Sequence, residues 1–500
     1  MYTQILEQIP LGTPIPDNTP HAVSVSLPTM EDVQGFRYGD PAVHDKLRTS
    51  YPRFGIHPLV KQALAHILAD PSGERSVLPV SNTDHAEAII TRYELDNASI
   101  AEYGPLTVIG YATNSLKTTR AARYLRATGG VASSRRAEQY LVGTGELAAP
   151  HLEATASDNP AAHITNQLQS LYPGRRLDIR LANSGMSSIY ALAQGVAAAN
   201  PKRDEWVLFG GVYADTAPSI GLAGGKALEF EDITDYDSLA AYLEAHSEQT
   251  AAIFTEAPTN PLLQTADLDR LADLASRYDV PLVIDVAVAG SAAVDVSPYA
   301  DIIIESLTKF ASGHGDMMMG VLLFNKSSQH YEALASSTTP FIDAPFSGDL
   351  ARMAYEIDGY RERVHVIGER TLQVIEFLER QPEIGAIHWT GSPTNQADFA
   401  TITRDADHSA NIFTIVPKSG LAPLYDALPA AKGASFGIAD VAVHTPYVQL
   451  AHPEKVDFPE GLATLAHKGL HPDMLRVSVS ARPVDEQIAA YEAAFEQLRK

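Results

Sequence analysis

The sequence predicts an α/β fold, with a mostly parallel sheet in a large domain and a smaller C-terminal α+β domain. From about residue 165, short apolar runs alternate with helical patterns, as in repeated βαβ units. Two of these runs, at 280–284 and 302–304, are rich in β-branched residues and bounded by Pro, Gly or Asp, which indicates buried parallel strands. Beyond Leu350, apolar residues recur at steps of three and four up to Pro382. This period predicts a long amphipathic helix leading into the C-terminal domain, although Gly359 and Gly368 weaken the case for one straight rod.

The chain divides into three predicted segments. Residues 1–165 hold an N-terminal arm and an extra segment, 166–345 form the large domain, and 346–500 hold the linking helix and the C-terminal domain. Residues 1–30 are rich in Pro and Thr and lack a period, which is typical of an extended arm. The other predicted elements are strands at 106–109, 206–209 and 251–254, and helices at 59–68, 119–140 (broken at Gly129-Gly130), 267–278 and 488–498.

Composition restricts the class of protein. The 500 residues carry a net charge of −24, which argues against nucleic acid and anionic membranes as partners. The chain has no cysteine, so disulfides and thiol chemistry are excluded. Because no apolar run of about 18 residues and no signal-peptide pattern occurs, we expect a cytoplasmic enzyme without a membrane span. Histidines and carboxylates show no metal-ligand spacing, so no catalytic metal is expected.

Polar residues follow the two most clearly predicted strands. The first strand ends at Asp285, and the second runs into Ser306, Thr308 and Lys309. Alone, such an Asp is more often a cap and such a Lys is more often a solvated loop residue. Together, at the carboxyl ends of neighbouring parallel strands, they suit pyridoxal 5′-phosphate (PLP). The lysine amine attaches the cofactor and then moves protons, the aspartate holds the pyridine nitrogen protonated, and the hydroxyls bind phosphate.

Three segments carry a resemblance to a known family. E-x-P-x-N-P at 256–261, I-D-V at 284–286 and S-L-T-K-F-A-S-G-H at 306–314 follow in the order and near the spacing found in the Cys/Met-metabolism PLP enzymes, the cystathionine γ-synthase and γ-lyase group. YPRFGIHPLV at 51–60 and GGVASSRRAE at 129–138 resemble the long, fungal-type cystathionine γ-synthase branch. The resemblance covers about residues 25–500. It implies the PLP-dependent transferase fold of type I.

The resemblance also implies roles for residues outside the two strand ends. The N-S-G-M run at 183–186 matches a phosphate-binding helix N-terminus, where backbone N–H groups and the helix dipole favour a dianion. Tyr213 would stack on the cofactor ring and assist proton transfer, although a core aromatic is the alternative reading. Arg476 would bind the substrate α-carboxylate, which favours a bidentate partner. The further residues implied in cofactor or substrate binding are Ser184, Gly185, Met186, Asn260 and Ser435.

In this family a Tyr and an Arg cross a dimer interface to hold the neighbour's phosphate. Two segments compete for that role. Tyr51-Pro52-Arg53 keeps both residue types but lies far from Ser184 in sequence, whereas Arg135 lies at about the family's distance but lacks the Tyr. The spacing favours Arg135 slightly and leaves Arg53 open. The resemblance implies a homodimer with shared sites, paired into a tetramer, with the N-terminal arm reaching over a neighbouring subunit.

The implied function is γ-substitution or γ-elimination on an L-amino acid with a γ leaving group. The default reaction joins an O-acyl-homoserine to cysteine and gives cystathionine. Three segments depart from the family pattern: VAVAGS follows Asp285, H-G-D at 314–316 replaces H-S-D, and Ala214-Asp215 replaces two glycines. They favour an alternative, a γ- or β-lyase or a specialised variant acting on an unusual amino acid, for example a halogenated or unsaturated one. A PLP-fold protein without chemistry is a third hypothesis, which the intact Lys309 opposes.

Overall fold

The computed structural model describes residues 8–17, 19–49, 54–68, 72–156, 158–405 and 408–500. These residues form a seven-stranded sheet, a five-stranded sheet, a three-stranded sheet and a two-stranded ribbon, with helices packed around them. Within the described ranges, no helix combines the length and apolarity needed to cross a membrane.

The N-terminal part of the chain lies on the C-terminal domain. It holds the antiparallel strands β1 (Pro14–Ile15) and β2 (Ser24–Val25) and the helices α1 (Met30–Tyr38) and α2 (Pro41–His44). The Leu27 N–H donates to the Lys432 carbonyl at 2.8 Å, and Arg37 pairs with Asp457 at 2.6 Å. The described part of the predicted arm therefore packs within its own chain, and contact with a second subunit stays a prediction.

The extra segment folds around a small antiparallel sheet of order β3-β5-β4. Gly129, with φ of 70°, caps α5 in the left-handed region, so the predicted break at Gly129-Gly130 is present. The elements are α3 (Pro58–Leu68), β3 (Arg75–Val80), α4 (Thr83–Tyr93), β4 (Ser99–Tyr103), β5 (Leu106–Ala112), α5 (Ser115–Thr128) and α6 (Ser134–Thr144).

The large domain is built on the seven-stranded sheet. Its elements are α7 (Pro160–Ser170), β6 (Leu177–Ala182), α8 (Gly185–Ala199), β7 (Glu205–Phe209), α9 (Thr216–Leu222), β8 (Lys226–Phe230), α10 (Tyr236–His246), β9 (Thr250–Glu256), α11 (Leu268–Arg277), β10 (Leu282–Asp285), β11 (Ile302–Ser306), β12 (Gly320–Asn325), α12 (Tyr331–Thr338) and a 3₁₀ turn at Thr339–Phe341. The strand order is β6-β12-β11-β10-β9-β7-β8, parallel except for β12. Every residue of β9 and β10 is buried, because helices cover both faces of a parallel sheet.

The link to the C-terminal domain differs from the single helix that the sequence predicts. It consists of α13 (Ser347–Glu356) and α14 (Tyr360–Glu379), separated by a 3₁₀ turn at Ile357–Gly359. Glycine is a poor helix former, and the turn directs the Tyr360 hydroxyl to the buried Glu305 carboxylate at 2.5 Å. The break thus lies next to a buried polar pair that links the two domains.

The C-terminal domain has a sheet of order β13-β14-β17-β16-β15, antiparallel except for the β15–β16 pair. Its core joins that of the large domain, and α19 packs on α14 and α16. The elements are β13 (Ile384–His388), α15 (Gln396–Ile402), β14 (Ile412–Pro417), α16 (Leu421–Ala427), β15 (Ala431–Lys432), β16 (Val443–Pro446), α17 (Tyr447–Ala451), α18 (Pro459–His467), β17 (Leu475–Ser478) and α19 (Val484–Leu498).

Candidate active site

A pocket lies where the carboxyl ends of β9, β10 and β11 face the C-terminal domain. The ends of parallel strands are the usual ligand site of such sheets. Apart from Arg135, every predicted site residue within the described ranges lines this pocket: Ser184, Gly185, Met186, Tyr213, Asn260, Asp285, Ser306, Thr308, Lys309, Ser435 and Arg476.

One end of the pocket is the N-terminus of α8. Ser184 is the N-cap, and its side chain accepts a hydrogen bond from the Ser187 N–H at 3.1 Å. The first N–H groups of a helix have no acceptor within the helix, so those of Gly185 and Met186, which precede the capped Ser187, are placed to bind an anion. A Cβ at Gly185 would lie 2.9 Å from the Cβ of Ser306, so only glycine lets α8 approach the end of β11 this closely. Backbone amides and the neighbouring hydroxyls thus fit a phosphate group.

Lys309 lies at the centre of the pocket and is buried. Its Nζ donates to Ser435 Oγ at 3.4 Å and lies 5.0 Å from the centroid of the Phe436 ring. Ser435 has φ of 101°, an unusual backbone conformation for a residue with a side chain. The structure therefore holds the lysine amine against a constrained segment of the C-terminal domain.

Asp285, at the end of β10, is a buried carboxylate beside other buried carboxylates. The Ala287 N–H donates to its Oδ1 at 2.8 Å. Burial and the nearby Glu305 raise the pKa of Asp285 to about 7, although the hydrogen bond from Ala287 acts in the opposite direction. Burial, and then the charge of Asp285, raise the pKa of Glu256 well above its ordinary value. Excess negative charge in a buried site favours a cationic group, and a protonated pyridine nitrogen fits this requirement.

Arg476 in β17 is oriented for an anionic ligand. Its guanidinium donates to Asn260 Oδ1 at 3.3 Å, to the Ser435 carbonyl at 2.8 Å and to Thr445 Oγ1 at 3.2 Å. The rings of Phe436 and Tyr447 flank it, with centroids at 4.8 and 5.4 Å from its Cζ. These three uncharged acceptors orient a guanidinium that lines the pocket, and a guanidinium suits a carboxylate ligand.

The loop after β7 shows an ion pair that sequence reasoning missed. Asp215, which stands where the family has glycine, is buried and pairs with Arg126 of α5 at 3.1 Å. Arg126 also lines the pocket, so the extra segment contributes to the site. In the same loop the Tyr213 N–H donates to Glu256 Oε1 at 2.6 Å. No sequence pattern links Arg126 to Asp215, because the pair depends on the packing of α5 against α8 and α9.

Arg135 lies away from the pocket in a buried ion cluster. Its guanidinium donates to Glu153 at 2.8 and 2.7 Å, to Asp349 at 3.2 Å and to the Asp316 carbonyl at 3.0 Å. A clamp on a neighbour's phosphate would have to break these bonds, which counts against the role predicted for Arg135, and that role stays a prediction. Tyr51 and Arg53 lie outside the described residues, and the adjacent Phe54 lines the pocket. The clamp in trans stays a prediction for Arg53.

Comparison with known proteins gives the family. Residues 139–496 match the family described as Cys/Met metabolism PLP-dependent enzyme. The chain is 31% identical over 489 residues to the L-2-amino-4-chloropent-4-enoate dechlorinase/desaturase of Streptantibioticus cattleyicolor, with 97% of each chain covered. The chain belongs to this family of PLP-dependent enzymes. Cystathionine γ-synthase of Neurospora crassa is 24% identical, with 97% of this chain and 98% of that protein covered.

The fold of this chain agrees with that of solved structures. The crystal structure of yeast cystathionine γ-lyase superposes with a TM-score of 0.59 and 20% identity, and the match covers 70% of this chain and 93% of the lyase. The predicted α/β fold of type I, the PLP cofactor and the class of amino-acid enzyme are thereby confirmed. The unequal coverage is consistent with additional sequence in this chain.

We expect Asp285→Asn to stabilise the cofactor-free protein in a pH-dependent way. The pKa of Asp285 in the fold, about 7, lies above its ordinary value of 3.8, so the folded state binds more protons between these values. Ionisation therefore destabilises the fold as pH rises through this window, and the variant should gain up to about 4 kcal/mol near pH 8 and little near pH 4. Urea unfolding at both pH values measures this. The exposed Asp237→Asn is the control, and an equal effect at both pH values would contradict the assignment.

We expect Arg126 and Asp215 to be energetically coupled. A double-mutant cycle with Arg126→Met and Asp215→Asn should give a coupling energy of about 0.5–3 kcal/mol in urea unfolding, because either single change leaves a partner of the pair uncompensated. Additive effects of the two changes would show that the contact between extra segment and active-site loop contributes nothing to stability.

Proposed function

We propose that this PLP-dependent enzyme removes or replaces a γ substituent of an L-amino acid. The observation that supports this is the convergence of Lys309, Asp285 and Arg476 on one pocket between two sheets. A lysine, a buried carboxylate and an arginine at this site provide proton transfer, cofactor activation and substrate binding in one place.

The pocket offers a partner for each part of PLP. The amides at the start of α8 and the hydroxyls of Ser184, Ser306 and Thr308 would hold the phosphate. Asp285 would hold the proton on the pyridine nitrogen, and Tyr213 would cover the ring. When bound, PLP supplies an electron sink that stabilises negative charge at the substrate Cα.

The residues of the chain would position the amino acid and move its protons. Arg476, held by Asn260, would bind the α-carboxylate. Ser435 connects that site to the lysine, because its carbonyl accepts from Arg476 and its Oγ accepts from Lys309. The Lys309 amine would take the proton from Cα, pass it on to the cofactor and so become free to take a proton from Cβ, after which the γ group leaves with its electron pair. In a substitution a nucleophile then adds at Cγ, whereas in an elimination the product is released without the γ group.

The lining of the pocket favours a compact, apolar γ substituent. Ala287 and Val288, from the VAVAGS segment, line the pocket together with Met318 and Leu450. The charged Arg126 of the same pocket is paired with the buried Asp215, so this apolar wall suits a halogen or hydrocarbon group better than a second amino acid such as cysteine. The relative that is 31% identical acts, by its name, on a chlorinated amino acid. We therefore favour elimination from a γ-halogenated or unsaturated amino acid, and keep synthesis of cystathionine from O-acyl-homoserine as the second candidate.

Assembly and location extend the proposal. We propose a homodimer, paired into a tetramer, in which Arg53 of one subunit reaches the phosphate of the other. The family resemblance supports this assembly, since a Tyr and an Arg of one subunit hold the phosphate of the other in that family. The expected cytoplasmic location stays a prediction.

A panel of substrates separates the two candidates. We expect purified enzyme to release chloride from 2-amino-4-chloropent-4-enoate, measured by ion chromatography, and to form little cystathionine from O-acyl-homoserine and cysteine. Lys309→Ala should lower the rate by at least about 100-fold, because proton transfer is lost, while the exposed Lys326→Ala should retain activity. Efficient formation of cystathionine without chloride release would favour synthesis. Activity that survives in Lys309→Ala would contradict both candidates.

A further inference from the structure

A second cluster of potential ligands lies outside the pocket, where the N-terminal part of the chain meets α6. It consists of His21 before β2, Glu138 in α6 and His151 in the loop that follows α6. One ligand atom of each residue lies within 4.8 Å of those of the other two. Two imidazole nitrogens and a carboxylate oxygen from three separate segments thus lie close enough together to share one ion.

One ring nitrogen of His21 is buried without a hydrogen bond to any described residue. The side chain is 1% exposed, and its Nδ1 lies 3.0 Å from Ser134 Oγ. Its Nε2 is buried and has no hydrogen-bond partner in the described part of the chain. The separation from Nε2 to Glu138 Oε2 is 3.5 Å. This is long for a hydrogen bond, but two ligands of a tetrahedral ion with bonds of about 2.1 Å lie about 3.4 Å apart.

The other two ligands complete a suitable set. His151 Nδ1 contacts the second oxygen of Glu138, and its N–H donates to the same atom at 3.0 Å. Glu138 thus turns one oxygen, Oε1, to His151 and the other, Oε2, to His21. The His151 side chain is 43% exposed, which gives an ion access from solvent and leaves room for water ligands.

Neighbouring histidine and arginine side chains would not repel a cation held by these three residues. His57 stacks at 6.1 Å from the His21 ring, and its Nδ1 accepts from the Leu59 N–H at 3.2 Å. Burial and His21 lower the pKa of His57 to about 3, so that ring is neutral. The positive charge of Arg135 is offset by the carboxylates of its own cluster.

We propose that His21, Glu138 and His151 bind a divalent transition-metal ion, with zinc as the ion that the donor set fits best. Nitrogen and carboxylate ligands in a set of three, with water completing the shell, are typical of zinc. With its Nδ1–H donating to Ser134 Oγ, the His21 ring would direct the lone pair of Nε2 towards the ion.

The proposed ion has a structural role close to the active site. It would join His21 to α6. Two residues after His21, the Val23 N–H donates to the Gly315 carbonyl at 2.8 Å. One turn before Glu138, Arg135 holds the Asp316 carbonyl. Gly315 and Asp316 belong to the loop that continues from Lys309, so the ion would stiffen that loop from behind. This role adds no step to the reaction and does not rest on the identity of the substrate.

Zinc binding to the full-length, PLP-loaded protein tests the proposal. After treatment with a chelator, the protein is equilibrated with zinc, gel-filtered and analysed for metal content. We expect one tightly held ion per chain and a higher melting temperature. His151→Gln should weaken zinc binding by at least about 10-fold with an unchanged circular dichroism spectrum, because it removes a half-exposed ligand. His163→Gln, a histidine of similar exposure paired with Asp358, is the matched control and should retain the ion.

Cobalt provides a second measurement. A difference spectrum on adding Co²⁺ should show ligand-field bands of nitrogen and oxygen coordination in the parent protein and in His163→Gln, but not in His151→Gln. The proposal is overturned if the folded parent protein retains no zinc, or if His151→Gln retains as much as the parent. The second result would assign the bound ion to a different place, such as the exposed cluster of His365, Glu369 and His408.

Discussion

The close contact between Lys309 and Gly437 is the constraint on which the site depends. A Cβ at Gly437 would lie 2.6 Å from the Lys309 carbonyl carbon, and the residue has φ of 85°, so glycine is required there. This approach brings Ser435 within reach of the Lys309 amine and of the Arg476 guanidinium. The residues proposed to hold the cofactor follow strands of the large sheet, the arginine proposed to bind the substrate carboxylate lies in the C-terminal sheet, and the two sets meet near this contact.

The two ends of the pocket favour ligand groups of opposite charge. At one end, the N-terminus of α8 and nearby hydroxyls favour an anion. At the other end, burial raises the pKa of Asp285, Glu256 and Glu305, so the sheet edge favours a cation. PLP carries a phosphate and a ring nitrogen that can be protonated, and it matches both ends.

The extra segment takes part in the site through Arg126, which pairs with the buried Asp215 beside Tyr213. The same segment supplies Glu138 and His151 to the proposed ion site, which links the first residues of the chain to the loop after Lys309.

Much of the site could be predicted from the sequence, because its main residues follow strands whose apolar runs are unambiguous. Asp285 and Lys309 end or follow two such strands, and Ser184 caps a helix. Sequence spacing could not show that three carboxylate side chains surround Arg135. The Arg126–Asp215 pair and the break before Tyr360 depend on contacts between distant segments. Local patterns therefore gave the strand ends and helix starts, whereas tertiary packing decided the ion pairs.

The central claim is that PLP is attached to this pocket through Lys309. Borohydride reduction of the purified holoenzyme makes the bond between lysine and cofactor permanent, and peptide mass spectrometry then locates the phosphopyridoxyl group. The account predicts the added mass on the peptide that contains Lys309, and on no other lysine peptide. Modification of a different lysine, or an unmodified Lys309 peptide in protein that retains bound PLP, would contradict it.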